Sequence, residues 1–300
     1  MRNNSMRRAY SLVEVLVAIA ILGVIVGLTL SAVQRVRVAA TRTQCLNNLR
    51  QLTIALHSYN DKHGSLPSGF TYEPNKPSLR ALGWHARLLP YIERDALWQE
   101  ILAAYAADPD NTGAGSLAHE KIRAIPVPLF FCPLDGRGPV VTPKGYTIPI
   151  GMTTYLGVSG VDTLKKDGCL FINSSVRLTD IKDGTGNTLL VGERPPSTDS
   201  IWGWWYRGIG QDLDGGAEVV LGVQELNYST MTTACPNGPY SYGPGQFTNQ
   251  CDLFHFWSPH PGGAHFAFAD GSARFMKFAA APIMPALATR AGGESVNVPE

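Results

Sequence analysis

Charge is scarce in this chain. Only 16% of its 300 residues are charged, and the signs nearly cancel: 25 Lys and Arg against 24 Asp and Glu, a formal net charge of +1. Binding to phosphate backbones needs an excess of Lys and Arg, so nucleic acid is not an expected partner. The common signatures of chemistry are missing too. The chain has no Gly-x-Ser-x-Gly, no P-loop, no dinucleotide-binding glycine fingerprint and no His-Glu-x-x-His, which leaves the familiar hydrolase, nucleotide and zinc-peptidase classes without support. Its five cysteines include no Cys-x-x-Cys, so a zinc ribbon or a thioredoxin-like motif is unsupported. No tandem repeat stands out.

What is present is apolar and punctuated. Hydrophobic residues make up 44% of the chain, with 31 Gly and 21 Pro. That composition suits a folded head rich in turns rather than a helical bundle or a disordered chain.

The apolar residues are concentrated at the start. Arg2, Arg7 and Arg8 lie in an opening stretch without acids, and from Leu12 to Val33 the only charge is Glu14. Such a run is long enough for a membrane helix, which needs about 20 residues. It is too long for the core of a secretory signal peptide, and Ser31-Ala32 make a poor cleavage site. A plain membrane anchor leaves Glu14 unexplained, because a carboxylate in hydrocarbon is costly and commonly functional. Arg35, Arg37 and Arg42 follow the run, so the positive-inside rule does not fix orientation alone. Beyond it, Ala39 to His63 contains no Pro or Gly, and Leu46, Leu49, Leu52 and Leu56 recur at helical spacing. Gly64 and Pro67 are stop signals. One helix is therefore predicted from about Ser11 to about Lys62, near 50 residues or roughly 78 Å long. Its first part would cross the membrane, residues 10–34, and residues 35–63 would continue it as an amphipathic stalk carrying a head, residues 64–300.

In the head, Pro90 precedes a predicted helix over Ile92–Tyr105. Short apolar runs then read as strands, among them VPLFFCP, TTYLGVSG, NTLLVGE, IWGWWYR and GAHFAFADGSARFMKF. The expected fold is α+β: a long N-terminal helix packed on a mostly antiparallel, β-rich head.

Several phrases carry a resemblance. Ala9, Tyr10, Ser11, Leu12, Val13 and Glu14 follow the basic leader in the order of the type IV prepilin signature, with Ala9 and Tyr10 where that signature usually has Gly and Phe. Further on, CLNNLRQLTIALHSYNDKHGSLPSG, GWHARLLPYIE, FFCPLDG, TTYLGVSG, LTDIKDGTGNTLLVGE and HPGGAHFAFADGSARFM occur in order. His260 is separated by nine residues from Asp270-Gly271. The chain resembles a bacterial prepilin-like, pseudopilin-like family whose head is a domain of unknown function (domain of unknown function 1559) with a His-x9-Asp-Gly signature. The resemblance implies a leader of residues 1–9, cleaved between Ala9 and Tyr10 by a prepilin peptidase, and N-methylation of Tyr10. It also implies assembly with other pilin-like subunits, Glu14 pairing with a neighbour's N-terminal amine. The location implied is the inner membrane, with a single pass and the head in the periplasm or outside. A non-enzymatic subunit of a type IV pilus or a secretion pseudopilus is the leading expectation. A membrane-tethered module binding a glycan or peptide is the alternative, and a hydrolase comes third.

The head offers four sets of candidate residues. His260, His265 and Asp270 are groups that suit a metal or catalytic site, although Asp-Gly between alternating strands is also ordinary hairpin chemistry. In the latter case Phe266 would pair with Phe275. Asp180, Asp183 and Asn187 supply oxygen ligands without EF-hand spacing. No cofactor is expected beyond, by analogy with some pseudopilins, a structural Ca2+. Trp202, Trp204 and Trp205 would form a sugar-stacking platform if exposed and core if buried. Glu193 beside Arg194 reads as a strand-end pair. Cys235 and Cys251 border a Gly/Pro/Asn-rich loop that gains most from a disulfide. The states of Cys45, Cys132 and Cys169 are left open by the sequence.

Overall fold

A computed structural model describes residues 12–72, 79–109, 116–230, 232–294 and 296. The chain falls into two compact units, residues 1–43 and 44–300. The first is the opening part of helix α1, Leu12–His63. Every side chain from Leu12 to Ala40 is exposed, and the run is long and apolar enough to cross a membrane. Thr29 and Ser31 return their hydroxyls to the carbonyls of Ile25 and Leu28, so the polar groups diluting the run are satisfied within the helix.

The second unit begins inside the helix, at Gln44, rather than at residue 64. The reason is the apolar stripe: Cys45, Leu49, Leu52, Ala55 and Leu56 are at most 1% exposed and join the core of the head. Gly64 ends the helix with φ +77° and donates its N–H to Asn60 O at 2.7 Å. Positive φ is where glycine is favoured past a helix C-terminus.

The head is organised on a five-stranded sheet built from β1 (Tyr155–Gly160), β2 (Leu189–Glu193), β3 (Val220–Gly222), β4 (Gly263–Phe268) and β5 (Ala273–Lys277), in the order β5-β4-β2-β1-β3. Its neighbours pair antiparallel, except β1 with β3, which are parallel. Alternate residues leave opposite faces of a strand, and here both faces are buried. Tyr155, Leu190 and Ala267 meet the stripe of α1, whereas Leu156, Leu189, Phe266 and Phe268 enter a second core with Phe254, Phe256 and Met276. Short helices α2 (Trp84–Arg87), α3 (Asp95–Ala107) and α4 (Leu117–Arg123) precede the sheet.

Two predicted strands are absent. Pro128–Phe130, within VPLFFCP, is a 3-10 turn, because prolines at 126, 128 and 133 deny the run ladder donors. IWGWWYR makes only isolated bridges, Trp204 with Met152 and Arg207 with Leu82; Gly203 at φ +107° interrupts its extended backbone.

The β4–β5 hairpin is shifted by one residue from expectation. Phe266 lies opposite Arg274, and His265 opposite Phe275. The connection is a three-residue loop, with Phe268 N donating to Ser272 O at 2.8 Å, Gly271 N to Phe268 O at 3.1 Å, and Gly271 at φ +90°. A two-residue turn would have put Phe275 on the face of Phe266 rather than on that of His265. The loop docks on α1, where His57 Nε2 lies 3.0 Å from Ala269 O.

Candidate functional site

The hairpin register decides which groups meet. His265 on β4 is 1% exposed and His260, in the loop before it, 2%; their rings meet edge to face at 4.7 Å. The carboxylate between them is Glu193, the last residue of β2. Its Oε2 accepts from His265 N at 2.7 Å and lies 3.0 Å from His265 Nδ1. Its Oε1 is 3.5 Å from His260 Nε2 but in no hydrogen bond. Burial opposes charge on Glu193, yet the two imidazoles outweigh it and hold the carboxyl down to about 2.

Asp270 is not part of this group. It sits exposed at the hairpin loop, accepting from Ser272 N at 2.8 Å with Arg274 3.6 Å away. Nor do Glu193 and Arg194 form a strand-end pair. Neighbours on a strand point to opposite faces, and Arg194 donates to Pro195 O at 2.8 Å and Ala217 O at 2.6 Å.

His260 leads to the cysteines. Its Nε2 is 3.5 Å from Cys132 Sγ, and Cys132 is disulfide-bonded to Cys45 of α1. Cys45, Cys132, Glu193 and His260 thereby converge, with donor atoms all within 4.8 Å of one another. Among the described residues this is the cluster of at least three metal-capable side chains. No local spacing could have revealed it, since 87 residues separate the two cysteines and four separate elements supply the members.

The other candidates are engaged elsewhere. Asp180 pairs with Arg177 at 2.8 Å. Asp183 accepts from Gly292 N at 2.7 Å and Gly293 N at 2.8 Å. Asn187 closes a turn, N to Gly184 O at 3.0 Å. Asp180 and Asp183 thus spend their carboxylate oxygens on Arg177 and on the Gly292 and Gly293 amides. Trp202, Trp204 and Trp205 are 2%, 4% and 0% exposed and belong to three separate core clusters. Trp204 and Trp205 satisfy their indole N–H groups on Ser200 O and Ile125 O. The cavity beside Trp202 and Trp204 is about 60 Å3, room for a water or two and not for a sugar. It is also lined by Arg207 and by Glu218, whose carboxyl burial pushes up to about 7.

Cys235 is joined to Cys251, and Cys169 is a buried free thiol that burial pushes up to about 12. Ala9 and Tyr10 lie outside the described residues. Glu14 lies in the first turn of α1, on its exposed, apolar half.

The comparisons with known proteins bear on both units. Residues 34–279 match the family model described as "Protein of unknown function (DUF1559)", and residues 4–30 match that of the prokaryotic N-terminal methylation motif. No curated protein and no solved structure matches the chain. A pilin-type start, an apolar helix long enough to cross a membrane and a head matched over most of its length place this chain in the DUF1559 family, as a pilin-like protein anchored to the membrane by its N-terminal helix.

Proposed function

We propose that this protein is a non-enzymatic subunit of a pilus-like or pseudopilus-like assembly, held in the inner membrane until it is processed and incorporated. The observation that carries the reading is the division of α1: its opening half offers apolar side chains to the surroundings on every side, while its closing half is committed to the head. Lipid suits the opening half before assembly, and packed copies of the same helix suit it afterwards. Cleavage falls between Ala9 and Tyr10, the new Tyr10 amine is methylated, and Glu14 becomes the fifth residue of the mature chain. There it pairs with the amine of a neighbouring subunit, which offsets the cost of a carboxylate in an apolar setting. Two disulfides favour a head outside the cytoplasm, where oxidation persists.

The buried tryptophans speak against a sugar platform. His260, His265 and Asp270 do not form one site, because Asp270 lies exposed at the hairpin loop and the carboxylate between the histidines is Glu193. The test is mass analysis of the native N-terminus combined with fractionation of sheared filaments. A methylated Tyr10 start, together with a Glu14→Ala variant that is processed but absent from filaments, is the expected result. An intact Met1, or a start after Ala32, would overturn the processing step; a Glu14→Ala variant that assembles normally would overturn the pairing.

A further inference from the structure

The cluster between α1 and the sheet has an unusual composition for a structural disulfide. A disulfide needs only its two sulfurs, yet a buried carboxylate and a buried imidazole are directed at this one. Glu193 is the informative member. Its Oε2 is saturated by the backbone N–H and Nδ1 of His265, which fixes the orientation of the carboxylate. Its Oε1, in a residue 1% exposed, then points into the cluster and makes no hydrogen bond. A buried carboxylate oxygen whose one close partner is an imidazole at 3.5 Å is loosely held for a protein interior. The approaching His260 Nε2 is 3.5 Å from both Oε1 and Cys132 Sγ, so one nitrogen faces the carboxylate and the sulfur together.

We propose that the reduced form of this cluster is a metal site that binds Zn2+ through Cys45 Sγ, Cys132 Sγ, His260 Nε2 and Glu193 Oε1. Two thiolates, an imidazole and a carboxylate are donors that Zn2+ accepts, and four of them complete a closed tetrahedral site. Bonds of about 2.0–2.3 Å set donors roughly 3.3–3.8 Å apart, inside the 4.8 Å over which these atoms already lie once reduction lets the two bonded sulfurs move apart. His265 holds the ligating carboxylate from behind, the part played by outer partners in metal sites. The ligands come from α1, from the segment after the 3-10 turn at Pro128–Phe130, from the end of β2 and from the loop before β4. A bound ion would therefore tie α1 to the sheet at the point where the disulfide does.

The chemistry balances in both directions. The newly made chain carries Cys45 and Cys132 as thiols; binding one Zn2+ as two thiolates releases two protons. Oxidation reverses it. A disulfide of the oxidising compartment takes two electrons from the two thiolates and leaves as a dithiol after gaining two protons. The Cys45–Cys132 bond forms and Zn2+ departs. Because all four ligating residues are buried, loading takes place as the reduced chain folds, before the disulfide closes.

The full chain in detergent micelles provides the test. It is reduced in urea and refolded anaerobically with Co2+ as the spectroscopic stand-in for Zn2+. A Cys235→Ser/Cys251→Ser background leaves Cys45, Cys132 and Cys169 as the thiols. The expected result is a thiolate-to-cobalt charge-transfer band with the strong visible bands of a tetrahedral ion, saturating at one equivalent and displaced by Zn2+. The oxidised chain should show none of them. His260→Ala keeps both sulfurs and should weaken binding by at least the ~10–100-fold that loss of an outer partner costs, with a shift of the visible bands. Cys45→Ser should weaken the charge-transfer band, and Cys45→Ser/Cys132→Ser should abolish it. Absence of that band from the reduced chain at every metal ratio, whether or not the chain refolds, would overturn the proposal. So would a band that survives Cys45→Ser/Cys132→Ser, or one whose affinity ignores His260→Ala.

Discussion

The two halves of α1 are one helix by hydrogen bonding and two different objects by environment. From Leu12 to Ala40 every side chain is exposed, including Leu16, Ile21 and Val24 at 51%, 55% and 63%. From Cys45 to Leu56 a stripe at three- and four-residue spacing is sealed into the head. A helix that is apolar all round has no preferred partner face and dissolves in lipid or among its own kind; a striped helix has one face and needs one core. The difference also appears in how each half treats polar atoms. Thr29 is satisfied within its own turn, at Ile25 O. Thr53 uses Leu49 O in the same way and also reaches Gly271 O at 3.5 Å, and His57 reaches Ala269 O.

The largest test of this contrast is the covalent tie. Cys45–Cys132 closes 87 residues of chain and Cys235–Cys251 closes 16. Chain entropy then predicts a loss of about 4–5 kcal/mol for Cys45→Ser/Cys132→Ser and about 3 kcal/mol for Cys235→Ser/Cys251→Ser. Denaturant unfolding of the head signal in the full chain measures both. Equal losses would mean that the tie of the helix to the head has no special weight.

Next is packing. Leu52→Ala removes a fully buried side chain and should lower head stability by about 2–5 kcal/mol. Leu22→Ala, 58% exposed in the other half, should leave the unfolding midpoint of the head where it was. A shift of the head by Leu22→Ala would break the comparison.

Carboxylates sharpen it. Glu14 sits on the exposed apolar half, whereas Glu218 is closed inside the head, and burial pushes it from 4.5 up to about 7. The folded state therefore holds an extra proton between those values, and stability should fall as pH rises from about 4.5 to about 7, by about 3 kcal/mol for this group. Unfolding at a series of pH values, for wild type and Glu218→Gln, should show the decline lessened in the variant; identical slopes would refute it.

The smallest effect concerns the hairpin loop resting on α1. Gly271 has open space around it, with His57 Nε2 at 3.9 Å from an added Cβ, but a φ of +90°. Gly271→Val should cost a little more than about 1 kcal/mol through backbone strain alone, read as a lowered thermal midpoint. Gly271→Asn, which tolerates positive φ better, should recover part of it.

Legibility in the sequence followed the range of the interactions. The helix and its end at Gly64 were predictable, because apolar periodicity and a glycine stop act within one turn of chain. The Cys235–Cys251 pair bordered one loop and could be proposed from that loop. By contrast, a one-residue difference in loop length moved the β4–β5 register and brought His265, rather than Phe266, opposite Phe275. The tryptophans of IWGWWYR alternate like a strand on paper, yet Gly203 breaks the run and sends them into three cores.

Sequence by itself determined the membrane helix, its amphipathic continuation and the β-rich character of the head, because hydrophobic period and turn chemistry are local properties. Tertiary structure alone decided that Glu193 belongs to His260 and His265 and not to Arg194. It alone joined Cys45 to Cys132 across 87 residues and separated Asp270 from the histidines. Those outcomes depend on which strands neighbour one another and which face each residue takes, and the order β5-β4-β2-β1-β3 brings together segments that no sequence spacing connects.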